Sequence, residues 1–241
     1  MLNWIWNKFF NNKSAAWTAL FTGVLTVFTI KMWQVAATTS EATRTSQRAW
    51  MNLRGMSLGP DINNITNSSP AKEFIVTWGN TGATVAKQVV FEGNQKPELE
   101  NLPNGYDFPL DPSVKTESVV SPQGGFDVRF QVPMSELEDN WKGRNKLFFW
   151  GDAIYKDVFP KDAVRLSEFC VEVTHMTTAF KTPPIVKKGE PQPYPTLGQP
   201  NVAIVGFSWQ PCSGGIHMCY DEDCKDYADR IKGAQPSPPT P

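Results

Sequence analysis

The chain predicts a mainly β protein, an antiparallel β-sandwich carried behind an N-terminal transmembrane helix and a short helical stalk. Three observations predict it. Stretches of strict apolar and polar alternation recur between residues 49 and 178, the period-two signature of strands with one buried face. Twenty prolines and 17 glycines break those stretches up, and 15 phenylalanines against 5 tyrosines favour short aromatic strands over a helical bundle. Ahead of them, residues 14–34 read SAAWTALFTGVLTVFTIKMWQ, with no charge before Lys31.

Residues 1–13 carry Trp4, Trp6, Phe9 and Phe10, which suit an interfacial N-terminus. Residues 14–34 match the roughly 20 mainly apolar residues that a span requires. Leu20, Phe21, Val24, Leu25, Val27, Phe28 and Ile30 together favour insertion by about 3 kcal/mol. Lys31 lies near the end, where its stem lifts the ammonium to the headgroups. Trp17 and Trp33 are separated by about 24 Å of helix, the distance between the two interfacial aromatic belts. Trp17, Lys31 and Trp33 are therefore the predicted anchor residues, with the lipid bilayer as partner of residues 14–34. Val35-Ala36-Ala37 would suit signal-peptide cleavage, but Lys31-Met32-Trp33 just before it opposes that. Ala15, Ala19 and Gly23, with Thr18, Thr22 and Thr26 beside them, form a small-residue stripe that would permit a homo-oligomer through this helix. Against it stands the favoured alternative, that the threonines bond back to their own helix.

Residues 35–48 lack glycine and proline and extend the helix as a stalk. The β domain then opens, with Met51, Leu53 and Gly55 alternating as an entry strand. EFIVTW (73–78) places Phe74, Val76 and Trp78 on one face. Asn80-Thr81-Gly82 follows, and Asn80 and Gly82 are expected to supply the positive φ angles of a tight reversal. FDVRFQV (126–132) alternates cleanly, and Ser135-Glu136-Leu137-Glu138 has capping-box spacing, predicting a brief helical turn. KLFFWGDAIYKDVF (146–159) is a long aromatic strand. RLSEFCVEV (165–173) sets Phe169, Val171 and Val173 inward and so turns Cys170 outward. The sandwich is assigned to residues 49–178. Residues 179–200 are too proline-rich for a central strand and form a loop. Residues 201–232 hold a returning strand and a cysteine-containing tail, and 233–241 form a disordered end.

Behind a membrane helix and stalk come Arg48-Ala49-Trp50, Asn80-Thr81-Gly82 ahead of Ala86 and Val89, Gly151 to Phe159, and Glu168-Phe169-Cys170. This series resembles a group of uncharacterised bacterial single-pass membrane proteins with a C-terminal immunoglobulin-like β-sandwich domain. The Asn-Thr-Gly element is also similar to immunoglobulin-like cell-surface modules. The resemblance spans most of residues 15 to 174. It implies an immunoglobulin-like fold and a membrane location, and it brings no catalytic residue.

The chain of 241 residues carries 23 Lys and Arg against 24 Asp and Glu, so it lacks the basic footprint of a nucleic-acid binder. His175 and His217 sit in no catalytic motif; His175 is expected to be idle in a polar loop. No catalytic residue and no cofactor is predicted. Pro122-Gln123-Gly124-Gly125 precedes a strand rather than a helix and reads as a turn. Asp221-Glu222-Asp223 lacks the alternating ligands of a calcium loop and reads as a solvated acidic face. Cys212, His217, Cys219 and Cys224 offer a tetrahedral donor set, but not with paired C-x₂-C spacing. Disulfides are favoured over zinc: two bridges would use Cys170, Cys212, Cys219 and Cys224, with Cys170 expected to pair with Cys224 or Cys219. Charges flanking the helix set no orientation. The cysteines favour an extracytoplasmic domain on a single-pass protein of the inner (cell) membrane. Two sequons, Asn64-Ile65-Thr66 and Asn67-Ser68-Ser69, add little. The expected function is a membrane-tethered, non-catalytic module that binds a protein or envelope component. The alternative is a metal-binding or redox module built on the Cys/His cluster.

Overall fold

The computed structural model describes residues 13–62, 70–103, 106–159, 163–182, 193–197, 199, 201–212, 218–224 and 226–234. Both sequons and His217 lie outside the described residues. By internal contacts the chain divides into Met1–Gln47 and Arg48–Pro241.

The described part of the first unit is one helix, α1 (Lys13–Gln47). Span and predicted stalk are continuous, because no proline interrupts them. From Trp17 onward α1 is long and apolar enough to cross a membrane, a test that a signal sequence also meets. Its large apolar side chains are exposed, Trp17 at 61% and Trp33 at 73%. The hydroxyls of Thr22, Thr26 and Thr29 donate to the carbonyls of Thr18, Thr22 and Leu25, each at 2.8 Å. Bonding to the preceding turn satisfies them within the helix, leaving Ala19 and Gly23 as the bare part of the small-residue stripe.

The second unit is mainly β. Its strands are β1 (Met51–Ile62), β2 (Ala71–Asn80), β3 (Ala86–Glu98), β4 (Asp111–Val120), β5 (Gly125–Pro133), β6 (Lys146–Lys156), β7 (Val164–Phe180), β8 (Val202–Pro211) and β9 (Met218–Tyr220). The described residues also form two short helices, α2 (Met134–Trp141) and α3 (Tyr227–Ala234), and a single 3₁₀ turn (Asp221–Asp223). All pairings are antiparallel. One sheet runs β1-β2-β5; the other runs β4-β3-β6-β7-β8, with β9 on β7. Because β6 pairs along β7 from Val164 to Val173, β8 and β9 follow one another down the opposite edge.

Period-two alternation delivers one apolar face of each sheet to a shared core. Phe74, Val76 and Trp78 of β2 and Val128, Phe130 and Val132 of β5 meet Phe91, Leu147, Phe149, Phe169, Val171 and Val173. Ring centroids lie 5.1 Å apart for Phe74 and Phe149, 5.4 Å for Phe130 and Phe149, and 5.5 Å for Trp78 and Phe169. Such aromatic pairs add about 1 kcal/mol each beyond area burial.

Asn80-Thr81-Gly82 is not the hairpin that the sequence suggests. Neither Asn80 nor Gly82 takes a positive φ, because the chain here passes from one sheet to the other. The motif clamps the entry of the domain instead. The fully buried Asn80 accepts from the Trp50 amide at 3.1 Å and the Gly82 amide at 2.9 Å through Oδ1. Its Nδ2 donates to the carbonyls of Thr84 and Val120. Gly82 is needed for close approach, since a Cβ there would lie 2.0 Å from the Arg48 carbonyl oxygen. Around this clamp the Tyr155 hydroxyl donates to the Ala49 carbonyl at 3.2 Å, and the Asp157 carboxylate accepts from the Ala49 amide at 3.4 Å. Burial pushes the Tyr155 hydroxyl up to about 12, so it stays a donor.

Other boundaries differ from the sequence reading. The N-cap of α2 is Pro133 with no side-chain cap bond, so Ser135 lies inside the helix and the capping box does not form. β7 runs on to Phe180, past the boundary drawn at residue 178, and α3 runs to Ala234, past the disordered end drawn from residue 233. Because β7 continues unbroken past Val173, the end of the predicted strand, His175 lies within it, exposed and opposite Ser208, rather than in a loop.

Candidate functional site

β6 carries buried residues on both faces. From Leu147 to Ala153 every residue is buried, so the face turned away from the shared core is covered as well. That cover is a second apolar cluster, in which Leu102, Tyr106, Phe108 and Leu110 from the segment between β3 and β4 pack on Phe148, Trp150, Cys170 and Cys212. The segment is pinned at Pro109, whose carbonyl accepts from Asn94 Nδ2 at 3.0 Å and from Trp150 Nε1 at 2.9 Å.

Beside this cluster the strand register sets carboxylates in a row, Glu92 opposite Asp152 and Asp152 opposite Glu168. Like charges directly opposite one another repel, so the row needs cations. Lys115 stands at one end, 3.9 Å from Glu92. Arg230 of α3 spans the other two, one guanidinium nitrogen on Asp152 and the other on Glu168. Asp152 is 4% exposed, and desolvation pushes its carboxyl up to about 6 against the opposing pull of Arg230. Aromatic cover and carboxylate row together enclose a pocket of about 300 Å³, lined by Tyr106, Phe108, Trp150, Asp152, Glu168 and Arg230 among others. That volume is at the small end of ligand sites.

Cys170 lines this pocket and Cys219 contacts Glu168, but the four cysteines do not take the expected pairing. Cys170 pairs with Cys212 at a Cα separation of 5.5 Å, and Cys219 with Cys224 at 5.1 Å. Cys170 does turn away from the shared core, but it is buried there and is not joined to Cys219 or Cys224. The cause is β8: it pairs with β7 as far as Val171 opposite Pro211, which delivers the next residue, Cys212, beside Cys170. The Cys212 amide then donates to the Cys170 carbonyl at 3.2 Å. β9 sets Cys219 opposite Glu168.

The predicted donor set of Cys212, His217, Cys219 and Cys224 is thereby divided, with His217 outside the described residues. Among the described residues, a different trio converges. The ligand atoms of Glu168, Cys219 and Cys224 lie within 4.8 Å of one another. Within the acidic run Asp223 is exposed as expected, but Asp221 departs from a solvated face. Asp221 is buried; it accepts from the Leu166 amide at 3.1 Å and pairs with Arg165 at 3.1 Å and Arg48 at 3.3 Å.

Sequence reasoning singled out the cysteines but missed Tyr106, Phe108, Trp150, Asp152, Glu168 and Arg230 as neighbours. One signal was present. In KLFFWGDAIYKDVF four consecutive apolar residues, Leu147 to Trp150, break the alternation, and a strand apolar on both faces is covered on both. Comparison of the chain with protein-family models, with curated proteins and with solved structures finds no match.

Proposed function

We propose that the chain is a membrane-tethered, non-catalytic module that binds a protein or cell-envelope partner through the pocket on the outer face of β6 and β7. The pocket carries this reading: a partly aromatic concavity whose few polar groups converge is the usual form of a recognition site. The exposed apolar surface of α1 supports a single-pass anchor in the inner membrane, with Trp17, Lys31 and Trp33 at its boundaries. The cysteine pairs support an extracytoplasmic domain. Strand order supports an immunoglobulin-like sandwich, with β1-β2-β5 as strands A-B-E, β4-β3-β6-β7 as C′-C-F-G, and β8 added at the G edge.

A photoreactive residue at the exposed Asp107, on the pocket rim, tests the reading in intact membranes. A discrete adduct is expected from this position and not from Val119, which is 67% exposed and absent from the pocket lining. Identical patterns from both positions would overturn it. Protease added outside spheroplasts is expected to digest residues 49–241.

A second reading is favoured by the Glu168, Cys219 and Cys224 trio. Once a dithiol has reduced the Cys219–Cys224 pair, two thiolates and a carboxylate, each a zinc-ligand type, would offer three donors to zinc with a fourth position open. Zinc titration of the reduced chain, with and without Glu168→Gln, tests it. Stoichiometric binding weakened by the substitution is the expected result; binding indifferent to it rejects the site.

A further inference from the structure

We infer that the pocket recognises an arginine side chain of a partner polypeptide, and that Arg230 is its internal occupant, displaced when the partner binds. The inference rests on the reading of the pocket as a binding site and names its ligand.

Asp152 and Glu168 stand opposite each other on adjacent strands, and neighbouring strands are about 4.8 Å apart. Two carboxylates held at that spacing present acceptors to the two ends of a planar guanidinium, and Arg230 occupies them in this way. A lysine ammonium can bridge two carboxylates, as Lys115 does between Glu92 and Glu117, but it is a point charge and lacks the planar fork that meets each carboxylate with its own nitrogen. Aromatic rings complete the complement. Tyr106, Phe108 and Trp150 pack edge to face at 5.1 to 5.9 Å and line the same pocket. Their ring faces attract a cation and stack on a guanidinium plane. Asp226 adds a further carboxylate to the lining.

The occupant is mounted on a segment suited to release. Helix α3 has eight residues, too few to be stable without tertiary contacts. Besides Arg230, its anchors include the Tyr227 hydroxyl on the Val164 carbonyl at 3.1 Å, and Tyr227 and Ile231 on the small cluster of Leu166, Cys219 and Cys224. A second cation beside a seated Arg230 would be repelled, so entry of the partner's arginine requires exchange. The roughly 300 Å³ left beside Arg230 takes the incoming side chain's stem or flanking residue.

The test uses the full-length chain in lipid nanodiscs and a labelled Gly-Gly-Arg-Gly-Gly peptide, beside its citrulline and lysine counterparts. Arg230→Gln is expected to tighten binding of the arginine peptide by roughly tenfold, since it removes a tethered competitor. Asp152→Asn added to it is expected to abolish binding, and the citrulline peptide is expected not to bind. In the unaltered protein, saturating arginine peptide is expected to speed hydrogen exchange across Tyr227–Ala234, a readout independent of how well the variants fold. Equal binding of the citrulline peptide, or unchanged protection of α3, overturns the inference. If the Asp107 adduct forms while the arginine peptide is ignored, this inference fails and the pocket reading stands. If neither occurs, both fall.

Discussion

The two faces of β6 are both closed, by different means. Leu147, Phe149 and Ala153 meet the other sheet, so their cover is a regular surface whose strands alternate as they do. Phe148, Trp150 and Asp152 are covered by pieces from separate parts of the chain: the segment between β3 and β4, Cys212 and α3. The first cover is stiff and apolar. The second mixes rings, carboxylates and a disulfide, and its pieces lie outside the strand ladders.

The largest test sets the same ring on opposite faces. Phe149→Ala is expected to cost about 5 kcal/mol, the upper end for a ring in a core that cannot collapse. Phe148→Ala, equally buried, is expected to cost about 3 kcal/mol because its cover can settle. Urea denaturation followed by tryptophan fluorescence measures both, and equal values would erase the distinction.

The cysteine pairs divide next. Cys170 and Cys212 are 42 residues apart and Cys219 and Cys224 only 5, so loop closure predicts losses of about 4 and about 2 kcal/mol for the paired serine substitutions. Thermal melts of the two double variants should rank in that order.

A smaller effect follows pH. Folded Asp152 titrates at about 6 against an ordinary value of 3.8, so between those values the folded chain holds the proton more tightly. Stability attributable to Asp152 therefore rises as pH falls from about 6 towards 4, by about 2 kcal/mol. The melting temperature of the unaltered protein relative to Asp152→Asn should increase across that window. A constant difference would place Asp152 in contact with water.

Smallest of all is Gly23→Leu in α1, remote in sequence from both faces of β6. It should leave domain stability unchanged and lower chain-to-chain cross-linking in membranes by roughly twofold, the threonine hydroxyls already being committed within the helix.

The inner faces of β2 and β7 were legible because periodicity is local: Phe74, Val76, Trp78, Phe169, Val171 and Val173 declare their side by spacing alone. Cys170 was placed correctly on the opposite face, but the residues that cover it there, Trp150 and side chains arriving from elsewhere, carried no local signal. Its partner was misassigned because pairing follows from β8 joining β7, a long-range choice that alternation does not encode. Asp221 fooled composition likewise: an acidic run looks solvated until Arg48 and Arg165 converge on it. Arg230 carried no local signal, for its meaning lies in two carboxylates about 60 to 80 residues away.

The clamp around Asn80 has a mechanical consequence. Tension drawn through Gln47 enters the domain at Arg48, ahead of the first rung of the β1 and β2 ladder at Met51 and Asn80. An antiparallel ladder pulled from its end opens one rung at a time. Here the load first meets Asn80 on Trp50, Tyr155 and Asp157 on Ala49, and Asp221 on Arg48. These bonds share the force and must yield together before peeling begins, so the entry behaves as a fastened seam.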